Sequence, residues 1–119
     1  MSRVDELRIK DYLNHILEAI ERINRYVGVM DENEFLRDEK TQDAVIRNFE
    51  IIGEASRNIE RYYPDFAAEH PDVQWVIAYE MRNYLAHGYF MVDMEIVWKT
   101  IKNDLPGMVG QVLQLLNED

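Results

Sequence analysis

Arg82, Asn83, His87 and Tyr89 place a permanent cation, an amide, an imidazole and a phenol within eight residues of one stretch. One chemistry that uses such a set is RNA cleavage by attack of a ribose 2′-hydroxyl on the adjacent phosphate. That reaction needs a base for the hydroxyl, an acid for the leaving oxygen and a cation for the pentacoordinate phosphate. Histidine titrates near neutrality and serves as either base or acid. Arginine presents a rigid fork of donors matched to phosphate oxygens. If the stretch is helical, Asn83 and His87 are four apart and share a face, with Glu80 close to it. Arg82 then lies roughly 140° round from His87, at about 100° per residue. Its length must carry it across, or it must serve a neighbouring subunit's site. One chain supplies one such histidine here. A two-fold dimer pairing the helices that carry it would supply two, on facing walls of one cleft.

The elements that must position these residues read as helices. Ile9, Leu13, Ile16, Ile20, Ile23 and Val27 recur at three- and four-residue spacing, which predicts a helix from about Val4 to Val27, stopped by Gly28. The acidic segment Val29 to Lys40 carries only Phe35 and Leu36 as an apolar pair and reads as a loop with one helical turn. Val45, Phe49, Ile52, Ala55, Ile59 and Tyr62 predict a second helix from about Thr41 to Tyr63, with Asp38 or Thr41 as its cap and Pro64 as its end. Gly53 falls in its middle, a costly place unless another backbone packs closely there. A short turn follows over Asp65 to His70. Pro71 is placed to open a third helix, which carries the Arg82–His87 stretch to Gly88. A fourth starts at Asp93 and runs through Leu116, kinked at Pro106 because proline cannot donate back to Lys102. No segment alternates with period two. The expectation is one all-α domain over residues 1–119, an antiparallel bundle of four main helices with a short extra turn between the second and third.

Composition narrows the function classes. The 119 residues contain no cysteine, which removes disulfides, a thiol nucleophile and thiolate metal sites, and fits a cytoplasmic protein. No apolar run is long enough to span a membrane. None of the three histidines has a glutamate three residues before it, as a di-iron bundle would need, and no Walker or dinucleotide glycine motif occurs, so no metal or cofactor is expected. The net charge of −10 opposes nonspecific nucleic-acid binding, which relies on neutralising phosphates. Residues 31–70 hold eleven acids against five bases, so an RNA-facing surface is expected to avoid the middle of the chain.

Each of these residues also has a plainer role. His87 suits a helix C-terminus, where it meets the last carbonyls and the dipole. Arg82 could pair on the surface with Asp72 or near Glu80. Asn83 could brace the helix end, and Tyr89 with Phe90 could cover the end of the bundle. Arg47, Asn48 and Glu54 could orient a site, bridge a dimer, or simply be surface residues of an amphipathic helix. His15 and His70 belong to no motif and read as solvent-facing. Trp75, Tyr79 and Trp98 suit core or dimer contacts.

Arg82, four residues, His87, one residue and Tyr89 resemble the RX4HXY signature of HepT toxins, within the wider HEPN superfamily. The resemblance extends over Asp11-Tyr12-Leu13 and Ile16 to Ile20, over Thr41 to Asn48 and Ile51 to Ala55, and over Val97-Trp98 and Asp104-Leu105-Pro106. It implies a helical bundle that dimerises, with the arginine and histidine lining a cleft between protomers. It implies ribonuclease activity on mRNA or tRNA. It also implies a partner, a minimal nucleotidyltransferase of the MntA antitoxin type, which can transfer AMP to the tyrosine of the motif, here Tyr89. One departure is local: many relatives carry a Pro-Trp step before the third helix, whereas here three residues separate Pro71 from Trp75. The acidic surface keeps a second reading open, a non-catalytic helical subunit that binds a nucleotidyltransferase and presents its substrate.

Overall fold

The computed structural model describes residues 2–87 and 92–117, excluding the side chains of 76, 77, 79, 86 and 87. All regular structure among the described residues is helical: α1 (Arg3–Val27), α2 (Glu32–Leu36), α3 (Glu39–Tyr62), α4 (Pro64–Glu69), α5 (Trp75–His87), α6 (Met94–Asn103) and α7 (Leu105–Asn117).

The expected stripe of α1 is its buried face, joined by Ala19. Ser2 caps its start by accepting from the Asp5 amide, and Gly28, at φ 54°, ends it by donating to the Asn24 carbonyl. The acidic segment carries the one helical turn expected of it. Asp31 and Glu34 form a reciprocal capping box on α2, and this one turn drives Phe35 into the core, where its ring centroid lies 5.4 Å from that of Trp98. Asp38 caps α3 by accepting from the Thr41 amide at 3.0 Å, a bond that holds its carboxyl below the usual range. Gln42 ties α3 back to the Phe35 carbonyl at 2.8 Å.

Two boundaries differ from expectation. Pro71 does not open the third helix. Residues 71–74 form a turn, and α5 begins at Trp75, whose indole donates to the His70 carbonyl at 3.2 Å. Val73 and Trp75 are both buried, and the turn is what lets both point inward. His70, expected in solvent, is half-buried with its ring 4.7 Å from that of Phe66. The last helix is not one kinked rod but two, α6 and α7, divided at Asp104. Pro106 falls in the first turn of α7, where its missing N–H needs no intrahelical partner, so the interruption becomes a helix start.

α3 is the spine. α1 packs along one side of it and α5 along another, while α2 bridges α3 to α6 and α7 closes over α1. Val45, Phe49, Ile52 and Ile59 of α3 are fully buried, as are Ile16, Ile23, Val97 and Val112 around them. Burying each such side chain contributes roughly 1.5–3 kcal/mol. No described helix is long and apolar enough to cross a membrane.

Candidate active site

The candidate site begins at the crossing of α3 and α5. A Cβ on Gly53 would collide with the Cβ of Arg82 and sit 3.1 Å from the Ala78 carbonyl oxygen. The backbone of α3 can therefore lie directly under the stem of Arg82 only because residue 53 has no side chain. The mid-helix glycine thus meets the one condition that offsets its cost.

From that seat Arg82 reaches outward. Its side chain is half-buried, and its Nη2 lies 3.4 Å from Glu54 Oε2. Its Nη1 makes a long 3.5 Å contact with Asn83 Oδ1. Sequence pairing with Asp72 or near Glu80 is replaced by an ion pair to the neighbouring helix. Each guanidinium carries five N–H donors, so these contacts leave capacity for an anion.

Arg82 lies at the wall of an open cleft of about 530 Å³, between α1, α3 and α5. Tyr12 and His15 of α1 line one side, and Arg47, Glu50 and Glu54 of α3 line another. Arg47 and Glu50 pair at 3.6 Å. Arg82, Glu54 and Arg47 thus line one cleft. Asn48 does not join them: it is buried, donating from Nδ2 to the Ala44 carbonyl at 2.9 Å, and therefore neither faces the cleft nor forms part of a charged surface. Asn83 is exposed and lines an adjoining hollow with Arg57, Glu60 and Arg61. Glu80 is exposed and lines neither depression. His87 is described only as the last residue of α5, and Tyr89 lies outside the described residues.

Sequence reasoning missed His15. It is exposed, as expected, yet it stands on the wall that faces Arg82, with its ring 6.4 Å edge-on from Tyr12. Spacing along α1 shows that Tyr12 and His15 are neighbours, but only the packing of α1 on α3 shows what they face. Tyr84 was also missed. Its hydroxyl accepts from the Asp93 amide at 2.6 Å, tying the motif-bearing helix to the start of α6.

Composition sets an RNA-facing surface away from the middle of the chain, yet this cleft draws on it. α3 forms much of the cleft wall. The acidic surplus lies elsewhere: residues 44–63 hold three acids and three bases, while residues 31–43 hold six acids and two bases. Within the adjoining hollow, burial raises the pKa of Glu60. Among the described residues, no group of three or more acids and histidines is placed to hold a metal ion.

Comparison with known proteins adds to this geometry. The family model described as "Ribonuclease HepT-like" matches residues 16–115. The "Probable ribonuclease HepT" of Thermococcus cleftensis is 47% identical over 106 residues, covering 89% of this chain and 94% of that protein. A Methanocaldococcus jannaschii protein named "Gamma-glutamylcyclotransferase and putative RNase" is 39% identical over 92% of this chain, which spans 48% of that longer protein. A "Putative RNase" of the same organism is 34% identical over 92% of this chain and 88% of its own length. No solved structure matches the chain.

Proposed function

This chain belongs to the ribonuclease HepT-like family, and from that premise we propose that it is an endoribonuclease acting through Arg82 and His87. The observation that carries the reading is the seat of Arg82: a side chain whose stem lies over Gly53 and whose guanidinium pairs with Glu54, on a cleft wall and five residues before His87.

The proposed reaction needs no metal. One imidazole takes the proton from a ribose 2′-hydroxyl as its oxygen attacks the adjacent phosphorus. The bond from phosphorus to the 5′-oxygen breaks, and a second acid protonates that oxygen. The products are a 2′,3′-cyclic phosphate and a 5′-hydroxyl. Arg82 stabilises the charge on the phosphoryl oxygens in between, with Asn83 bracing it. A dimer that joins two such chains brings two copies of His87 to one cleft, so that base and acid come from different protomers.

In the cell the same reading makes this chain the toxin of a toxin–antitoxin pair, acting on mRNA or tRNA. Its antitoxin is a minimal nucleotidyltransferase that transfers AMP from ATP to the Tyr89 hydroxyl and releases pyrophosphate. The added phosphodiester is a bulky anion two residues from His87, and it repels an incoming RNA phosphate.

The test is direct. Purified protein incubated with RNA in EDTA yields fragments ending in 2′,3′-cyclic phosphate. Absence of cleavage at any protein concentration would instead favour a non-catalytic subunit that binds the nucleotidyltransferase. With that enzyme and ATP, the mass rises by one AMP at Tyr89; an unchanged mass removes that residue's role.

A further inference from the structure

Arg82 does not stand alone on its face of the molecule. The hollow beyond Asn83, about 420 Å³ in volume, is lined by Arg57, Glu60 and Arg61 of α3. It adjoins the first cleft through Arg82 and Asn83, consecutive residues that line one depression each and touch at 3.5 Å. Arg57 and Arg61 are four apart and so project from one face, about 6 Å apart along the helix axis. That is comparable with the step between successive phosphates of an extended strand. Among the described residues, neither takes part in an ion pair, whereas Arg22, Arg25, Arg47 and Arg82 each do. The guanidinium of Arg61 lies 5.4 Å from the ring centroid of Tyr62, an exposed aromatic at the same end of α3. One acid, Glu60, opposes these two cations in the hollow. A chain of net charge −10 thus sets two arginines against one acid, with no ion pair among the described residues, beside the residue proposed to clamp the reacting phosphate.

We propose that Arg57, Arg61 and Asn83 form a phosphate-binding subsite for single-stranded RNA, holding the backbone next to the phosphate at Arg82. The inference rests on the ribonuclease reading and deepens it. The substrate is then an extended strand that crosses from one depression to the other over Arg82. A strand held this way lays its backbone along cations and leaves an aromatic ring in reach of a base, the usual pairing in single-strand recognition. Specific sequence plays no part in these contacts, because they address phosphates.

The experiment uses the full chain and a 2′-O-methyl RNA 12-mer, which lacks the attacking hydroxyl and survives intact. Affinity is measured against salt concentration for wild type, Arg57→Gln/Arg61→Gln, Arg57→Lys/Arg61→Lys and Arg8→Gln. Each phosphate contact with a single strand contributes about 0.7 to the slope of log affinity on log salt. The double glutamine variant is expected to lose about 1.4 from that slope and about tenfold or more in affinity at low salt. The lysine pair restores the slope, and Arg8→Gln, at an exposed position of α1, leaves it unchanged. If wild type binds and the glutamine pair keeps the same slope, this subsite is wrong and the ribonuclease reading stands. A loss from Arg8→Gln of about half that of the double variant also overturns it, since the effect would then follow overall charge. If wild type shows no salt-dependent binding, both readings fall.

Discussion

Arg82 is held by very little energy and a great deal of geometry. Its pair with Glu54 is partly exposed at 30% and 55%, so it contributes at most about 1 kcal/mol to stability. In the proposed site the pair's use is orientation: it fixes the fork and leaves donors free for a phosphate. Glu54→Gln is therefore expected to leave the thermal midpoint within a few degrees while lowering the cleavage rate, read as a fall in kcat at saturating RNA. A large loss of stability with unchanged turnover would contradict this. Glu60 shows the opposite economy. Burial raises its pKa, so the folded chain holds its proton more tightly than the unfolded chain does. Its ionised form thus costs stability above the folded pKa, and that cost is absent below the unfolded value. Glu60→Gln should raise the thermal midpoint at neutral pH, and the gain should vanish as pH falls below the carboxylate range. Asp38 has the reverse sign: its lowered pKa stabilises the fold above the unfolded value, and that is lost as pH falls through the folded one.

At the scale of elements, the crossing of α3 and α5 decides where the guanidinium sits. Gly53→Ala places a methyl against the Cβ of Arg82, an atom with no freedom to swing aside. The helices must separate, at a cost of about 1–3 kcal/mol, and Arg82 moves with α5. The expected result is a lower thermal midpoint with a disproportionate loss of cleavage; unchanged cleavage would show that Arg82 is not placed by this contact. The period of the apolar residues made α1 and α3 legible in sequence, and Gly28 and Pro64 marked their ends. The start of α5 was not legible, because Pro71 has the right chemistry for a first helical residue and the indole bond that selects Trp75 joins residues five apart in a turn. Pro106 in an apolar stripe specifies an interruption, which falls two residues earlier, at Asp104, and is a full break, because tertiary packing chooses between kink and restart.

At the scale of the whole molecule, the charge is unevenly distributed. The acids gather at 31–43, and the α3 face around Arg82 is balanced or basic. The motif itself was legible because its residues are close in sequence. His15, Arg57 and Arg61 were not, because their relation to Arg82 exists only once α1, α3 and α5 pack. The proposed dimer belongs to this scale as well, and light scattering should give twice the mass of a 14.2 kDa chain; a monomer under cleavage conditions would leave the second proton-transfer group to be found within one chain, where His15, which lines the same cleft as Arg82, is a candidate. The central claim, that this bundle cuts RNA with Arg82 and His87, is tested most directly by single-turnover cleavage in EDTA. His87→Ala and Arg82→Ala, each with the circular dichroism spectrum of the wild type, are predicted to lose at least about a hundredfold in rate, the usual scale for a positioned acid or base. Cleavage by either variant at the wild-type rate would contradict it.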